Sequence, residues 1–354
     1  MILKNAVVDG RLTDIEIRNG KFYRMGTLED GGEDLAGREV IPGLIDIHTH
    51  GCAGHDTMDG QFAEMCRFWA KHGTTAWLPT TMTAPVEKIA AATRGDTACP
   101  GAQILGFHME GPYLSKDYKG AHDESYFTNP RLEDYEKLKN VKVVTIAPEL
   151  PGARAFIRQC GAKVQIGHTA CGYGQAIEAM AAGADGLTHT FNAMPPLLHR
   201  APGPIGAAVT ENAYAELICD GLHVQKGAVL ALYKMFGPER LILISDAMRA
   251  AGLSDGEYEL GGLRVIVRDG AARTESGALA GSTATLWHCV KTAAGFGIPW
   301  RDAVRMATQT PAEYLNVPKG QIREGYDADF LVLDSQRNIQ RVFIAGEEFL
   351  DSME

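Results

Sequence analysis

The alternation of strand-like and helix-like segments between residues 42 and 318 constrains the fold of this chain more than any other feature. Eight candidate strands follow one another and are separated by helix-like stretches such as 61–72, 174–182 and 226–236. The candidate strands are residues 40–48, 74–81, 103–110, 141–149, 162–169, 185–191, 214–221 and 240–247. Eight strand–helix units in about 275 residues predict a (β/α)8 barrel. A doubly wound sheet can contain the same elements, and only the number of units argues against it.

Both ends of the chain have strand patterns without helices. Residues 14–18 alternate between apolar and polar side chains, Asn19 and Gly20 are a hairpin turn signal, and residues 21–25 continue the pattern. Residues 327–334 and 339–346 have the same character. The simplest arrangement is a small β-sandwich built jointly by residues 1–41 and 319–354, beside a barrel of residues 42–318.

Composition excludes several classes of partner. The 354 residues have a formal net charge of −10 and no basic stripe, which argues against nucleic acid and anionic membranes. No segment reaches the ~18 apolar residues of a membrane span, and the N-terminus has no basic flank followed by an apolar core. The seven cysteines have no paired spacing. We therefore expect reduced thiols in a cytoplasmic protein.

Histidines and acidic residues recur where the predicted barrel strands end. In a parallel barrel these ends meet at one face, and residues two apart on a strand point to the same side. A single buried histidine is usually a hydrogen-bonded core residue, but a whole set of them is difficult to explain by packing. The set comprises His48 and His50 after the first strand, His108 and Glu110 on the third, His168 on the fifth, His189 on the sixth and Asp246 on the eighth.

These side chains suit a metal-dependent hydrolase. Imidazole nitrogens and carboxylate oxygens are the ligands of Zn²⁺ and similar ions, and a catalytic site leaves one position open for water. The ion lowers the pKa of that water from ~16 to about 7, which gives hydroxide at neutral pH. Asp246 is then suitably placed to take the proton and return it to a leaving amine. The pattern predicts metal-assisted hydrolysis of an amide.

Short motifs along the chain add a family resemblance. They are PGLIDIHTHG, HMEGPYLS, KGAHDES, GHT, HTFNAM, DGLHV, SDAM and LAGST, in this order. In order and approximate spacing they resemble the motifs of N-acetylglucosamine-6-phosphate deacetylases, which are members of the amidohydrolase superfamily. The resemblance covers essentially the whole chain, including the divided terminal β domain. His-x-His alone marks only the superfamily, whereas HMEGP, HTFNAM and DGLHV together are far more specific.

The resemblance implies removal of acetate from N-acetylglucosamine 6-phosphate, which leaves glucosamine 6-phosphate. Glu110, His168 and His189 match the principal metal ligands of the family, and Asp246 matches its catalytic acid and base. The fourth predicted strand has no lysine at its C-terminal end, where many other amidohydrolases have one that bridges two metals. Glu110 is therefore the natural bridge, and the dihydropyrimidinase and dihydroorotase branch is disfavoured.

A second metal position is implied by the histidine pair. His48 and His50 match a position that some family members keep and others replace with residues that are not ligands. One or two divalent ions per subunit are therefore expected, and Zn, Fe, Mn and Co all suit this ligand set. His108 shares the strand face of Glu110 and is expected to support the site from behind.

The resemblance also implies contacts with the substrate. His122 matches the residue that polarises the acetyl carbonyl. The matches to sugar contacts are Ala121, Asn192, Ala193 and the backbone of Leu279, Ala280 and Gly281. His223 and Arg200 match the pair that binds the 6-phosphate, and in family members the arginine belongs to the neighbouring subunit, which implies a homodimer. Arg200 lies in the Pro- and Gly-rich residues 199–206, for which we expect a loop and not a helix.

Two other functions stay open from the sequence. One is a deacetylase for another N-acetylated sugar phosphate, such as N-acetylgalactosamine 6-phosphate. The two sugars are epimers that differ in the orientation of one hydroxyl group, and the residues that distinguish them cannot be located from one sequence. The other is a catalytically silent relative that only binds. Such a relative is expected to lack metal ligands or the aspartate of the eighth strand, and this chain retains both.

Overall fold

The N-terminal residues form five short strands in the computed structural model, which describes residues 1–29 and 31–350. The strands are β1 (Ile2–Val8), β2 (Arg11–Arg18), β3 (Lys21–Gly26), β4 (Glu33–Asp34) and β5 (Val40–Pro42). The first four form one sheet in the order β3-β2-β1-β4. Strands β2 and β3 pair antiparallel around Asn19 and Gly20, which both have positive φ angles. The predicted hairpin is confirmed.

Eight parallel strands form the central barrel. The strands of this segment are β6 (Leu44–Thr49), β7 (Gly51–Cys52), β8 (His55–Asp56), β9 (Thr74–Thr81), β10 (Gln103–Ile104), β11 (Phe107–Glu110), β12 (Val141–Ile146), β13 (Lys163–Ile166), β14 (Gly186–Leu187), β15 (Tyr214–Ile218) and β16 (Leu241–Ile244). The barrel order is β6-β9-β11-β12-β13-β14-β15-β16. Between the last and first strands, the Asp246 N–H donates to the His48 carbonyl at 2.9 Å. The predicted (β/α)8 barrel is confirmed.

Helices follow the barrel strands and cover the outside of the barrel. They are α1 (Ala63–Lys71), α2 (Val86–Ala92), α3 (Leu132–Tyr135), α4 (Ala153–Gln159), α5 (Tyr173–Ala182), α6 (Gly203–Thr210), α7 (Lys226–Phe236), α8 (Leu286–Phe296), α9 (Trp300–Met306) and α10 (Gln309–Leu315). Single 3₁₀ turns occur at Thr57–Asp59, Lys116–Tyr118 and Glu124–Tyr126. Across the described ranges, we find no helix with both the length and the apolar character that a membrane span needs.

Three local predictions need correction. The predicted strand 40–48 is divided at Gly43, after Pro42, into β5 and β6, because proline has no N–H to donate to a strand ladder. The predicted strand 185–191 is limited to β14, because the chain turns away and His189 has a φ of 26°. Residues 199–206 are not all loop, since α6 begins at Gly203 and Pro204 lies in its first turn, where a missing N–H costs nothing.

A small antiparallel sheet follows β16 and was not predicted. Its strands are β17 (Gly256–Leu260), β18 (Leu263–Arg268) and β19 (Ala271–Thr274). Gly261 and Gly262, both with positive φ, form the first turn. Val265 and Ala272 on its inner face pack against Met248, which follows the eighth barrel strand. The sheet therefore lies beside the carboxyl ends of the barrel strands.

The C-terminal strands complete the sandwich. They are β20 (Phe330–Leu333), β21 (Ile339–Ile344) and β22 (Glu347–Glu348), and they join β5 in the order β22-β21-β20-β5. The rings of Phe330 and Phe343 stack at 4.3 Å within the core shared by the two terminal sheets. The predicted β-sandwich is confirmed. The domain boundaries at 41/42 and 318/319 remain a proposal, which the pairing of β5 with β20 supports. Residues 351–354 of the proposed sandwich domain lie outside the described residues.

Candidate active site

A cavity of about 600 Å³ opens at the carboxyl ends of the barrel strands. Most of the predicted site residues line it: His50, Glu110, Ala121, His122, His168, His189, Asn192, Ala193, His223, Asp246, Leu279 and Gly281. His48 is fully buried beneath the cavity, and Ala280 is 1% exposed. The fold thus brings together residues that are more than 200 positions apart in sequence, from His50 to Gly281, as expected at this face of a barrel.

Three side chains converge on one point at the base of the cavity. Oε1 of Glu110 lies 3.0 Å from Nε2 of His189 and 3.2 Å from Nε2 of His168, and these two nitrogens are 3.0 Å apart. Nδ1 of His168 donates to the Tyr118 carbonyl at 2.9 Å, so its Nε2 carries a lone pair in the neutral ring. Donor atoms about 2 Å from a common ion are about 3 Å from one another. The three residues fit a divalent metal ion.

A second set of donors lies beside the first and shares Glu110. Oε2 of Glu110 lies 3.2 Å from Nε2 of His50 and 3.5 Å from Nε2 of His48. Oδ1 of Asp246 lies 3.2 Å and 3.6 Å from the same two nitrogens. Nδ1 of His50 donates to the Thr80 carbonyl at 3.1 Å, which leaves its Nε2 lone pair facing the carboxylates. The two oxygens of Glu110 therefore serve different donor sets, as a bridging carboxylate does.

The electrostatics of the site favour a cation at its centre. Burial alone would lower the pKa of His50, but the carboxylates of Asp246 and Glu110 outweigh it and raise this pKa to about 9. Burial would raise the pKa of Asp246, but the imidazoles of His48 and His50 hold it below its ordinary value. Positive charge is thus stabilised here, and a divalent ion supplies it without protonating the histidines.

Three of the converging residues have an unusual backbone conformation. His168, His189 and Asp246 follow the fifth, sixth and eighth barrel strands and have φ angles of 45°, 26° and 48°. Residues other than glycine rarely adopt this left-handed region, and such strain is concentrated at functional sites. Asp246 is fixed on both sides, since its N–H donates to His48 and its carbonyl accepts from Ser282 at 2.7 Å. The turn at each strand end directs the side chain into the cavity.

His122 enters the site from the loop after β11. Both the hydroxyl and the N–H of Thr83 point at its Nδ1, at 2.9 and 3.4 Å, so Nδ1 is the acceptor. The proton of the neutral ring is then on Nε2, which lies 3.3 Å from Oε2 of Glu110. Burial lowers the pKa of His122 to about 4. This arrangement presents an N–H donor to the cavity.

Comparison with known proteins agrees with this geometry. The model of the amidohydrolase family matches residues 40–349. The chain belongs to the amidohydrolase family. An N-acetylgalactosamine-6-phosphate deacetylase of Escherichia coli O157:H7 is 39% identical over 87% of each chain, and an N-acetylglucosamine-6-phosphate deacetylase of Vibrio furnissii is 38% identical over 89% of this chain and 84% of its own. The structure of a mutant N-acetyl-D-glucosamine-6-phosphate deacetylase from Mycobacterium smegmatis, in complex with N-acetyl-D-glucosamine 6-phosphate, has 34% identity, a TM-score of 0.91 and 98% coverage of both chains.

The outer part of the cavity in this amidohydrolase is polar. Nδ1 of His223 donates to Oδ2 of Asp220 at 2.7 Å, which leaves Nε2 available to a ligand. His223 lies five residues beyond β15, in a turn where the carboxylate of Asp220 accepts from the backbone N–H groups of Leu222 and His223. Asn192 donates its side-chain amide to the His189 carbonyl, which ties the next loop to the strained turn.

Arg200 is the predicted site residue that lies apart from the others. It is exposed in the loop before α6 and, in the described part of the chain, does not line the cavity. The same loop exposes Leu197 and Leu198, which are 40% and 54% exposed. Leu222, next to His223, is 48% exposed. Exposed leucines thus lie beside Arg200 in the sequence and beside His223, which lines the cavity.

Several residues that contribute to the amidohydrolase site were missed from the sequence. Glu216, inside β15, accepts from Nδ1 of His48 at 2.9 Å. Thr83 sets the tautomer of His122, and Arg273 of β19 lines the cavity. Glu216 had one signal, since an acidic residue within the apolar stretch YAELI is unusual. The ring of His108, for which we expect a supporting role, packs edge-on against His48 with the ring centroids 4.6 Å apart.

Proposed function

We propose that this amidohydrolase deacetylates N-acetylglucosamine 6-phosphate and releases acetate and glucosamine 6-phosphate. The observation that carries this proposal is the convergence of two donor sets on the two oxygens of Glu110, with Asp246 and the N–H of His122 beside them. A cavity of about 600 Å³ suits a hexose phosphate. The names of the similar proteins support the substrate class.

The proposed ligands of the principal ion are Glu110, His168 and His189. His48 and His50 are the proposed ligands of a second ion, with Glu110 as the bridge, and Zn, Fe, Mn or Co suit these donors. A bound divalent ion lowers the pKa of water and polarises a carbonyl oxygen. Nε2 of His48 has no hydrogen-bond partner within residues 1–29 and 31–350, and this supports the second position, since a buried lone pair without a hydrogen-bond donor is costly.

The proposed chemistry assigns the proton transfers to Asp246 and the stabilisation of the developing oxyanion to His122. Asp246 takes a proton from the attacking water and delivers it to the amine nitrogen as the C–N bond of the amide breaks. His122 donates its Nε2–H to the acetyl oxygen as negative charge develops there. Burial of both side chains supports these roles, since fixed donors and acceptors act most strongly where water is excluded.

The remaining cavity residues are proposed to bind the sugar phosphate. Ala121, Asn192, Ala193, Leu279 and Gly281 line the cavity, and they are the proposed sugar contacts together with the backbone of Ala280. His223 is proposed to bind the 6-phosphate, with Nε2 as the donor. We propose that Arg200 of a second copy completes the phosphate site in a homodimer, which the exposed Leu197 and Leu198 beside it support. A guanidinium binds phosphate oxygens two at a time.

We also propose that the enzyme works in the cytoplasm. Each of the seven cysteines is a free thiol, and all but Cys99 are buried. Burial raises the pKa of several of these thiols, as for Cys66, to about 12. Unpaired, unreactive thiols are typical of a reducing compartment.

N-acetylgalactosamine 6-phosphate is the second candidate substrate, because the E. coli relative at 39% identity carries that name. Acetate release from both epimers by the metal-loaded enzyme tests the proposal. We expect the higher kcat/KM with N-acetylglucosamine 6-phosphate, and a large loss with unphosphorylated N-acetylglucosamine. A higher kcat/KM with the galacto epimer would favour the second candidate. No acetate release from either would contradict both and leave a binding protein.

A further inference from the structure

A fully buried acidic residue, Glu216, lies in the middle of β15, and the proposed chemistry does not use it. Its neighbours Ala215 and Leu217 are also fully buried and apolar. A carboxylate in such surroundings is strongly disfavoured unless hydrogen-bond donors or positive charge compensate for the lost hydration. The contacts of Glu216 therefore indicate what it does.

One oxygen of Glu216 contacts two of the proposed metal ligands. Oε2 accepts from Nδ1–H of His48 at 2.9 Å and from the backbone N–H of His189 at 3.1 Å. The carbonyl of Glu216 accepts from the N–H of Thr190 at 2.9 Å. These bonds hold the backbone on both sides of the strained His189 turn. Glu216 thus links the first barrel strand to the turn after the sixth.

The bond to Glu216 also sets the direction of the His48 lone pair. Because Nδ1 is the donor, Nε2 has no proton in the neutral ring, and it has no hydrogen-bond partner among the residues described. It faces Glu110 and Asp246 at 3.5 and 3.6 Å. The contact with Glu216 therefore leaves the nitrogen that faces the site free to bind a cation.

The neighbouring His108 does not compete for this contact. Its Nδ1 donates to the Ile47 carbonyl at 2.9 Å, and its Nε2 bonds to the hydroxyl of Thr145 at 2.8 Å. Both ring nitrogens are thus occupied, although His108, His48 and Glu216 lie close enough to resemble a separate ion site. This cluster is better explained as support for His48 than as a place for a further ion.

We propose that Glu216 is a positioning residue that couples the two ion positions of this enzyme. It aims His48 at the second position and fixes the backbone of His189, a ligand of the first. The inference rests on the proposed function only in assuming that these histidines bind metal. Supporting residues that hydrogen-bond a ligating histidine typically change metal affinity 10–100-fold when they are replaced.

Cobalt titration of the metal-free protein tests this role without reference to activity. Wild type is expected to bind two Co²⁺ ions per chain. Visible absorption and metal analysis measure this binding. In Glu216→Gln we expect the His48-dependent ion to bind about 10–100-fold more weakly. The other ion is expected to lose affinity by a smaller factor, because the carboxylate that accepts from the His189 N–H becomes a weaker, neutral acceptor. In a His48→Gln background, Glu216→Gln is expected to cause little further loss at the second position. Gln165→Met is the matched control, because Gln165 is equally buried on β13 and its side-chain oxygen accepts from the hydroxyl of Thr188, which is not a proposed ligand.

The outcomes separate this inference from the proposed function. Two ions bound by Glu216→Gln with wild-type affinities, or equal weakening in Gln165→Met, would overturn the positioning role. A wild-type chain that binds only one ion at saturation would overturn the coupling. Absence of deacetylation with normal cobalt binding would contradict the proposed function alone. If Glu216→Gln does not fold, Glu216→Asp, which withdraws the carboxylate by one methylene, is expected to weaken the same ion, and wild-type binding would again overturn the inference.

Discussion

Glu149 holds the segment that follows His168 through the hydroxyl of Thr169, which donates to Oε2 of Glu149 at 2.5 Å. The other carboxylate oxygen accepts from the backbone N–H of Ala170 at 2.6 Å. Both contacts fall directly after His168, whose φ of 45° is unfavourable for a residue with a side chain. The carboxylate at the end of the fourth predicted strand, where related enzymes can have a bridging lysine, thus stabilises the turn that presents a proposed ligand.

Replacing Glu149 with alanine is expected to weaken metal binding at the principal position by about 10-fold or more. The turn at His168 loses two charge-assisted hydrogen bonds, so the ring samples other orientations when no ion is bound. Metal affinity measured by competition with a chelator gives the result. Glu178→Ala is the matched control, since Glu178 borders the same surface cleft but is 58% exposed and pairs with Arg154. Equal affinities for wild type and Glu149→Ala would contradict this prediction.

Asp246→Asn is expected to lower kcat for acetate release by about 10²- to 10⁴-fold, the usual contribution of a general acid–base residue. Asparagine keeps the size of the side chain but cannot accept and return the proton. Metal content, measured on the same samples, is expected to stay near wild type, because Glu110 still contacts both donor sets. Asp185→Asn, at the other end of the barrel beside β14, is expected to keep wild-type kcat. Undiminished turnover in Asp246→Asn would remove this residue from the proposed mechanism.

Local sequence patterns predicted the elements of the barrel well where packing and propensity agree. Helix α7 coincides with the predicted residues 226–236, because an apolar stripe ends at Gly237, which terminates the helix. The strand-end histidines could also be found, since a barrel brings the ends of all its strands to one face. The sheet β17–β19 had readable strand alternation and a Gly261-Gly262 turn, but the count of eight strand–helix units gave no reason to expect it.

The supporting contacts could not be predicted in the same way. Glu216 and His48 are 168 positions apart, and their contact depends on how strands β15 and β6 are arranged in the closed barrel. The strain at His189 likewise depends on the turn after a two-residue strand, and no sequence signal marks it. Ligand type is thus readable from residue chemistry, whereas ligand orientation is a property of the closed barrel.

Asp14 is expected to make the terminal sandwich sensitive to acid. Nζ of Lys4 lies 2.7 Å from its carboxylate, and this contact, with the backbone N–H of Leu28, lowers the pKa of Asp14 to about 2. Because the folded-state pKa is below the unfolded value of about 4, the stabilisation is complete above pH 4 and is lost as the pH falls through 2. Asp14→Asn is therefore expected to lower the free energy of unfolding at pH 7, with a difference from wild type that narrows between pH 4 and pH 2.

Urea unfolding of the metal-free proteins at a series of pH values measures this difference without the effect of metal release. Asp9→Asn is the control, because Asp9 belongs to the same end of the chain but is 60% exposed. Its difference from wild type is expected to be small at every pH. If the free energy of unfolding of Asp14→Asn stays below that of wild type by the same amount from pH 7 to pH 2, the contacts of Asp14 do not depend on its charge.

Arg200 and Asp246 are expected to complement each other between subunits. In a dimer of Arg200→Ala with Asp246→Asn, one site receives its arginine from the Asp246→Asn chain and keeps the aspartate of the Arg200→Ala chain, so it is native. After subunit exchange, about half of the dimers in a 1:1 mixture contain one chain of each variant, and one of the two sites in such a dimer is native. The mixture is therefore expected to recover about a quarter of wild-type activity. Asp246→Asn mixed with His223→Ala is the control, since both residues line one cavity of one chain and no native site forms. Recovery in the control, or none with Arg200→Ala, would contradict an arginine supplied by the second subunit.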